Sequence, residues 1–161
     1  MAFQSTVNKA LPLGVVGEYA DDSPHRETGY ILRKNSTIMP KVGCAFTYGS
    51  TDDQAVIGGT NAFAGVLVGP KEYANYKGLT ANLELPDGVQ GGLCTFGHVY
   101  VVSGTSFAPG YVAAFNTSTG AINAYEEVSD IPGSGYAQIP NAKFIKVSGS
   151  ANALGILQLG D

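Results

Sequence analysis

The chain carries little charge, and what it carries is not clustered. Only 14% of its 161 residues are charged, whereas an average soluble domain has about 25%. The net charge is −4, and no segment holds a run of Lys or Arg. Binding to the nucleic-acid backbone usually leaves such a basic cluster. The composition therefore argues against a nucleic-acid partner.

Long apolar runs are also missing. No stretch approaches the roughly 20 consecutive apolar residues that a transmembrane helix needs. The opening Met1-Ala2-Phe3-Gln4-Ser5-Thr6 has neither the basic region nor the apolar core of a signal peptide. We therefore expect no membrane partner, and synthesis and folding in the cytoplasm.

Residue types that carry chemistry are scarce and poorly spaced. The two histidines, His25 and His98, belong to no metal-binding or metalloprotease pattern. The acidic pairs Asp21-Asp22 and Asp52-Asp53 lack the spaced oxygen ligands of a calcium loop. Gly58-Gly59-Thr60 is not followed by the Lys and helix of a phosphate-binding loop. The sequence thus predicts no catalytic residue, no metal ligand and no cofactor, and favours a protein that is not an enzyme.

The two cysteines, Cys44 and Cys94, each lie in an apolar run that resembles a strand. We favour two buried thiols that pack as small apolar side chains. A disulfide between them stays open, because sequence alone does not show whether they are close in space.

Glycine and apolar residues are plentiful. The chain has 22 Gly, nine Tyr and seven Phe, and 44% of its residues are hydrophobic. Short apolar runs bounded by Gly, Pro, Asn or Asp alternate along it, as is typical of an all-β sandwich or barrel. We predict eight to ten strands, with the clearest runs at 28–32, 42–48, 62–68, 79–85, 91–102, 111–115, 121–125, 142–147 and 153–159.

Local signals refine this prediction. Asn116–Gly120 is a five-residue loop ending in Gly, which predicts a β-hairpin. Gly97-His98 predicts a bulge or bend within the long strand. Pro70–Gly78 has Pro and Gly where a short helix would begin and end. Asp130–Tyr136 is predicted to be a loop. The fold class is all-β: a small antiparallel barrel or sandwich with at most one short helix.

The first 20 residues differ from the rest. They mix apolar side chains with Pro and Gly and show no sustained period, which favours an extended N-terminal arm over 1–20 and a single β-rich domain over 21–161. An apolar arm must pack on something, either its own barrel or a neighbouring subunit. We expect its contacts with a partner to come from a set of apolar residues, namely Phe3, Val7, Leu11, Leu13 and Val15.

Several blocks resemble the structural cement proteins of tailed bacteriophages. They occur in order along most of the chain: Met1 to Asn8, Gly14-Val15-Val16-Gly17-Glu18-Tyr19, Gly58 to Tyr73, Leu83 to Gly88, and Thr117 to Ile122. Each block is weak by itself, and together they are fairly specific.

The resemblance implies a capsid decoration protein. Such a protein would bind the outer surface of the head, bridge major capsid subunits and stabilise the shell. Its partners would be the major capsid protein and other copies of itself, as a dimer or a trimer. It would reside in the virion and be made in the host cytoplasm. The alternatives are a tail or fibre module that binds glycans, a small barrel that binds a small molecule and, least favoured, an enzyme.

Overall fold

The computed structural model describes residues 14–69 and 84–160. These residues form nine strands: β1 Arg26–Arg33, β2 Ala45–Tyr48, β3 Gln54–Ile57, β4 Phe63–Leu67, β5 Gln90–Val102, β6 Val112–Asn116, β7 Ile122–Tyr125, β8 Tyr136–Ile145 and β9 Leu154–Leu159. In the described part of the chain the helical content is one 3-10 turn, Val128–Asp130. The predicted all-β class is confirmed. The predicted helix at Pro70–Gly78 lies outside the described residues.

The first five strands form a closed barrel. Their order is β1-β3-β2-β4-β5, and β5 returns to pair with β1. The β1–β3 pair is parallel, with Ile31 opposite Gln54. The other pairs are antiparallel, including β1–β5, in which Thr28 lies opposite Leu93.

A second sheet continues from the same long strand. Its order is β5-β9-β8-β6-β7, and all pairs are antiparallel. The outer edge of β7 is covered by the residues that follow β5: Gly104 N–H donates to Ile122 O at 2.9 Å, and the Thr105 hydroxyl donates to Ala124 O at 2.7 Å. Covering this edge removes a row of backbone groups that could pair with another chain.

Alternation along the strands divides the core into two clusters. In β2, β4 and β5, neighbouring residues point to opposite faces of the sheet. Phe46, Leu67 and Leu93 fill the barrel interior. Their neighbours Ala45, Val66 and Cys94 face the second sheet, where they join a larger cluster with Phe115, Phe144 and Leu157. One wall of strands therefore contributes to both cores.

The β6–β7 hairpin loop fastens the second sheet to the barrel. Ala45 N–H donates to Gly120 O at 2.8 Å, and Gly59 N–H donates to Thr117 O at 2.6 Å. The Asn35 amide donates to the same Thr117 carbonyl at 3.1 Å. Gly120 has φ +70°, and a Cβ there would lie 2.6 Å from Ala45 O. The approach of these backbones therefore requires glycine.

The predicted bend in the long strand is confirmed at Gly97. Residues before it pair with β1 and β4, and residues from Gly97 onward pair with β9. The register slips beside it, where Arg26 lies opposite Phe96 and Glu27 opposite Cys94. Gly97 has φ +124°, and a Cβ would lie 2.8 Å from the Cβ of His25.

Three strand predictions differ from the structure. The predicted strand at 79–85 lies mostly outside the described residues, and within it Glu84 pairs with Lys41 as an isolated bridge. β3 was missed, because only two of its four residues, Val56 and Ile57, favour strand and they follow an acidic turn; it is held by pairing with β1 and β2. β8 begins at Tyr136, within the predicted 130–136 loop, because residues 136–138 pair with β6. In β3 and β8 tertiary pairing outweighs local propensity.

Both cysteines are free thiols. Cys94 lies in the cluster between the two sheets, whereas Cys44 packs against the barrel-interior cluster. Cys94 is buried as predicted, whereas Cys44 is only partly buried. Burial raises the pKa of Cys44 to about 11 and also raises that of Cys94.

We predict that Gly97→Ala destabilises the protein by about 1–3 kcal/mol, because alanine must adopt a left-handed φ and contact His25. Chemical denaturation monitored by circular dichroism measures this. The matched control is Gly133→Ala, since Gly133 has open space around its Cβ position and no positive φ. Equal effects of the two substitutions would contradict the role assigned to Gly97.

We also predict that neither thiol reacts appreciably with a thiol-specific reagent at pH 8 in the native protein. A pKa of about 11 leaves only a small thiolate fraction at Cys44. Denaturation should release two equivalents. Rapid labelling of Cys44 in the folded protein would show that the site is open to solvent.

Candidate functional site

The most elaborate polar arrangement of the described residues lies where the N-terminal segment joins the domain. Residues 17–20 pair with the second half of β5: Gly17 N–H donates to Tyr100 O at 2.8 Å, Tyr100 N–H to Glu18 O at 2.9 Å, and Ala20 N–H to His98 O at 2.8 Å. On its other side, Gly17 O accepts from Gly69 N–H at 2.8 Å. This segment is therefore attached to both sheets.

Asp21 anchors the segment through its side chain. One carboxylate oxygen, Oδ2, lies 2.7 Å from His98 Nδ1 and 2.8 Å from Lys146 Nζ. The other oxygen, Oδ1, accepts hydrogen bonds from the hydroxyl of Ser23 and from its N–H. We call Asp21, Ser23, His98 and Lys146 the Asp21 clamp. It joins the N-terminal segment to β5 and to the end of β8.

The clamp lowers the pKa of Asp21 well below its ordinary value. The largest cause is the hydrogen bond from Lys146, followed by those from Ser23 and His98. Lys146 itself has φ +66°, an uncommon conformation for a residue with a side chain. This left-handed conformation occurs at the residue whose amine contacts Asp21.

Ser, His and Asp in one cluster invite comparison with a catalytic triad, but the geometry differs. In a triad, the carboxylate and the nucleophile contact opposite ring nitrogens. Here Asp21 and Ser23 both approach Nδ1 of His98, and the Ser23 oxygen is 3.5 Å away. The Ser23 hydroxyl donates to Asp21 instead. The arrangement fits a structural tie and does not activate the serine.

Tyr19 adds a second attachment. Its ring stacks on His25 with centroids 4.0 Å apart, and its hydroxyl donates to Glu27 Oε2 at 2.9 Å. The ring also packs against the cluster between the sheets. Burial is the main cause that raises the pKa of Tyr19. The chain from Gly17 to Glu27 is thus held at several points.

The depression beside the clamp is small. It measures about 140 Å³ and is lined by residues of the turn before β1, of β5 and of the chain's end: Ser23, Pro24, Phe96, Gly97, His98, Gln158, Leu159 and Gly160. Sites for drug-sized ligands usually occupy about 300–1,000 Å³. Among residues 14–69 and 84–160, no group of three or more His, Cys, Asp or Glu side chains could hold a metal ion.

The described part of the chain contains no helix long and apolar enough to cross a membrane.

Of the predicted contact residues, only Val15 lies within the described range. Its side chain is 54% exposed, the largest exposed fraction among the large apolar residues described. Phe3, Val7, Leu11 and Leu13 lie outside the described residues. The division into an arm over 1–20 and a domain over 21–161 therefore stays a prediction, although residues 17–20 are firmly paired with β5. The Asp21 clamp was not predicted from the sequence, because His98 and Lys146 lie 77 and 125 residues from Asp21 in the chain.

Comparison with known protein families identifies the chain. The family model described as structural cement protein (E217 gp24/Pam3 gp6) matches residues 3–160. The chain belongs to this phage structural cement family. Its sequence resemblance to cement proteins is thereby confirmed, and membership implies a structural role in a phage virion. The match begins at Phe3 and therefore includes most of the N-terminal residues.

A solved phage structure shows the same fold, and a second is more weakly similar. A chain from the capsid of Myoviridae phage XM1 aligns with a TM-score of 0.68 at 14% identity, covering 100% of this chain and 99% of that chain. The N base of head fibre gp8.5 from bacteriophage phi29 aligns with a TM-score of 0.47 at 12% identity, covering 84% and 95%. No curated protein sequence matches the chain.

We predict that Asp21→Asn makes the cement protein easier to unfold at pH 7, and that the difference shrinks in acid. The folded-state pKa of Asp21 is below the value of about 3.9 expected when unfolded. Its contribution is therefore present above pH ~4 and is lost as the pH falls through the lowered pKa. Denaturation midpoints measured from pH 7 down to pH 2 would test this.

The control is Asp52→Asn, which removes a carboxylate of the exposed turn before β3. It should change the midpoint little at any pH. A pH-independent loss in Asp21→Asn would instead assign the effect to packing, and the ionised clamp would be wrong.

Proposed function

We propose that this cement protein decorates the outer surface of a tailed-phage head and stabilises the shell by bridging major capsid subunits. The observation that carries the proposal is the family match over residues 3–160, which covers both the folded domain and the apolar N-terminal residues. In this proposal the folded domain is the rigid part of the bridge, and the N-terminal arm adds contact area at a distance from the domain.

The construction of the domain supports this role. Two sheets share β5, the hairpin loop ties the second sheet to the barrel, and the Asp21 clamp ties the N-terminal segment to the second sheet. A bridge between capsid subunits resists their separation only if its own halves do not move apart. The closed barrel and the covered β7 edge also limit unwanted pairing between the many copies that crowd a shell.

The arm supplies reach. Thirteen residues before Gly14 span up to about 43–47 Å when extended. A stable protein interface buries roughly 1,600 Å². An arm covers such an area with few residues, and its ordering entropy is lost on binding. In this proposal Phe3, Val7, Leu11, Leu13 and Val15 are its apolar contacts.

The remaining assignments are part of the same proposal. The protein acts without catalysis or cofactor, its partners are the major capsid protein and further copies of itself as a dimer or trimer, and it contacts neither nucleic acid nor membrane. The low charge and the absence of basic runs support the exclusion of nucleic acid.

We predict that the purified protein co-sediments stoichiometrically with expanded, undecorated heads of its own phage and raises their disruption temperature. Removal of residues 1–13 should abolish binding, while the circular dichroism spectrum remains that of the folded full-length protein. Asp52→Asn serves as a control variant that should bind normally.

Failure of the full-length protein to co-sediment with mature heads would overturn the proposal and direct attention to tail assembly or glycan binding. Normal binding by the truncated protein would leave decoration intact and refute the role of the arm.

A further inference from the structure

One face of the second sheet carries apolar side chains that neither core uses. Val99, Leu157 and Phe144 point into the core between the sheets. The residues next to them in β5, β9 and β8 point to the opposite face. There Tyr100 lies opposite Ile156, Ile156 opposite Ile145, and Val102 opposite Leu154. We call these five the outer strip: Tyr100, Val102, Ile145, Leu154 and Ile156.

None of the five belongs to either hydrophobic cluster, yet they are not uniformly exposed. Val102 is 38% exposed, whereas Ile156, at the centre of the strip, is only 4% exposed. An isoleucine on a face turned away from the core needs a cover to be so well buried. An uncovered strip would also leave a contiguous apolar patch on the surface.

The N-terminal segment reaches this strip at its first described residue. Gly14 lies against the ring of Tyr100 so closely that a Cβ on Gly14 would overlap ring atoms Cε2, Cζ and Cδ2. From there the chain continues as residues 17–20 along β5. Gly14 therefore lies directly at the outer strip.

The sequence just before Gly14 suits an apolar seat. Leu11 and Leu13 are separated by one residue, so in an extended segment both side chains point to one face. Pro12 disfavours helix at Leu11 and favours an extended backbone. Three residues reach about 10 Å, which equals about two strand spacings and hence the distance from β5 across β9 to β8.

We propose that Leu11 and Leu13 of the same chain dock on the outer strip and cover Ile156. The arm then has two parts. Leu11 and Leu13 anchor it on the chain's own second sheet, and Phe3 and Val7 remain available for contacts with the capsid. The anchor refines the proposed arm but does not depend on head binding, so it is testable on the free protein.

Trypsin provides a direct probe, because Lys9 is the only Lys or Arg before Arg26. Cleavage after Lys9 requires residues on both sides, including Leu11, to enter the protease. Docking should therefore slow cleavage at Lys9 at least tenfold relative to a synthetic peptide of residues 1–20. Ile156→Thr and Leu13→Ser should each restore most of the peptide's rate.

The control is Ile38→Thr, the same chemical change at an isoleucine outside both core clusters and outside the strip. It should leave the rate at Lys9 unchanged. If Ile156→Thr fails to fold, Leu13→Ser still decides the matter.

Cleavage of the wild-type chain at the peptide's rate would overturn the proposal. Protection that increases with protein concentration would also overturn it, because the arm would then dock on a second copy. Loss of head binding with Lys9 still protected would refute decoration and leave the anchor standing.

Discussion

The whole domain depends on a single strand that belongs to two sheets. β5 is 13 residues long, and its first half closes the barrel while its second half begins the second sheet. Such sharing requires a change of direction without a break in hydrogen bonding. Gly97 supplies the change, because its φ of +124° and its closeness to His25 exclude a side chain. The Asp21 clamp lies at this bend, since His98 is the next residue. The bend and the point where the N-terminal segment joins the domain are therefore stabilised together.

This arrangement suits a protein whose task is mechanical. Both cores draw on the same wall of strands, so separation of the two sheets would expose buried residues on each side of it. The hairpin loop and the clamp add polar ties at distinct places. Residues 17–20 are bonded to β5 and to Gly69, so a force applied through the residues that precede them would pass to β5 and to both sheets. In the proposed cement role, forces that separate capsid subunits would be transmitted to the folded domain through this segment.

Sequence patterns predicted most of the local structure. Asn116–Gly120 was recognised as a hairpin loop from its terminal Gly, and Gly97-His98 as a bend, because a glycine within a strand has a local physical meaning. β3 was missed because its four residues gain strand structure only from pairing with β1 and β2. The Asp21 clamp was out of reach for the same reason: Lys146 is 125 residues from Asp21. Neither the acidic pair Asp21-Asp22 nor His98 belongs to a recognisable motif, and no sequence pattern indicates that they are in contact.

The central claim is that each copy bridges capsid subunits from outside the shell, with its arm as one of the contacts. Cryo-electron microscopy of heads reconstituted with this protein tests it most directly. The account predicts density for the domain on the outer surface, with residues before Gly14 reaching a capsid subunit beyond the one beneath the domain. Density confined to a single capsid subunit, or located at the tail, would contradict it.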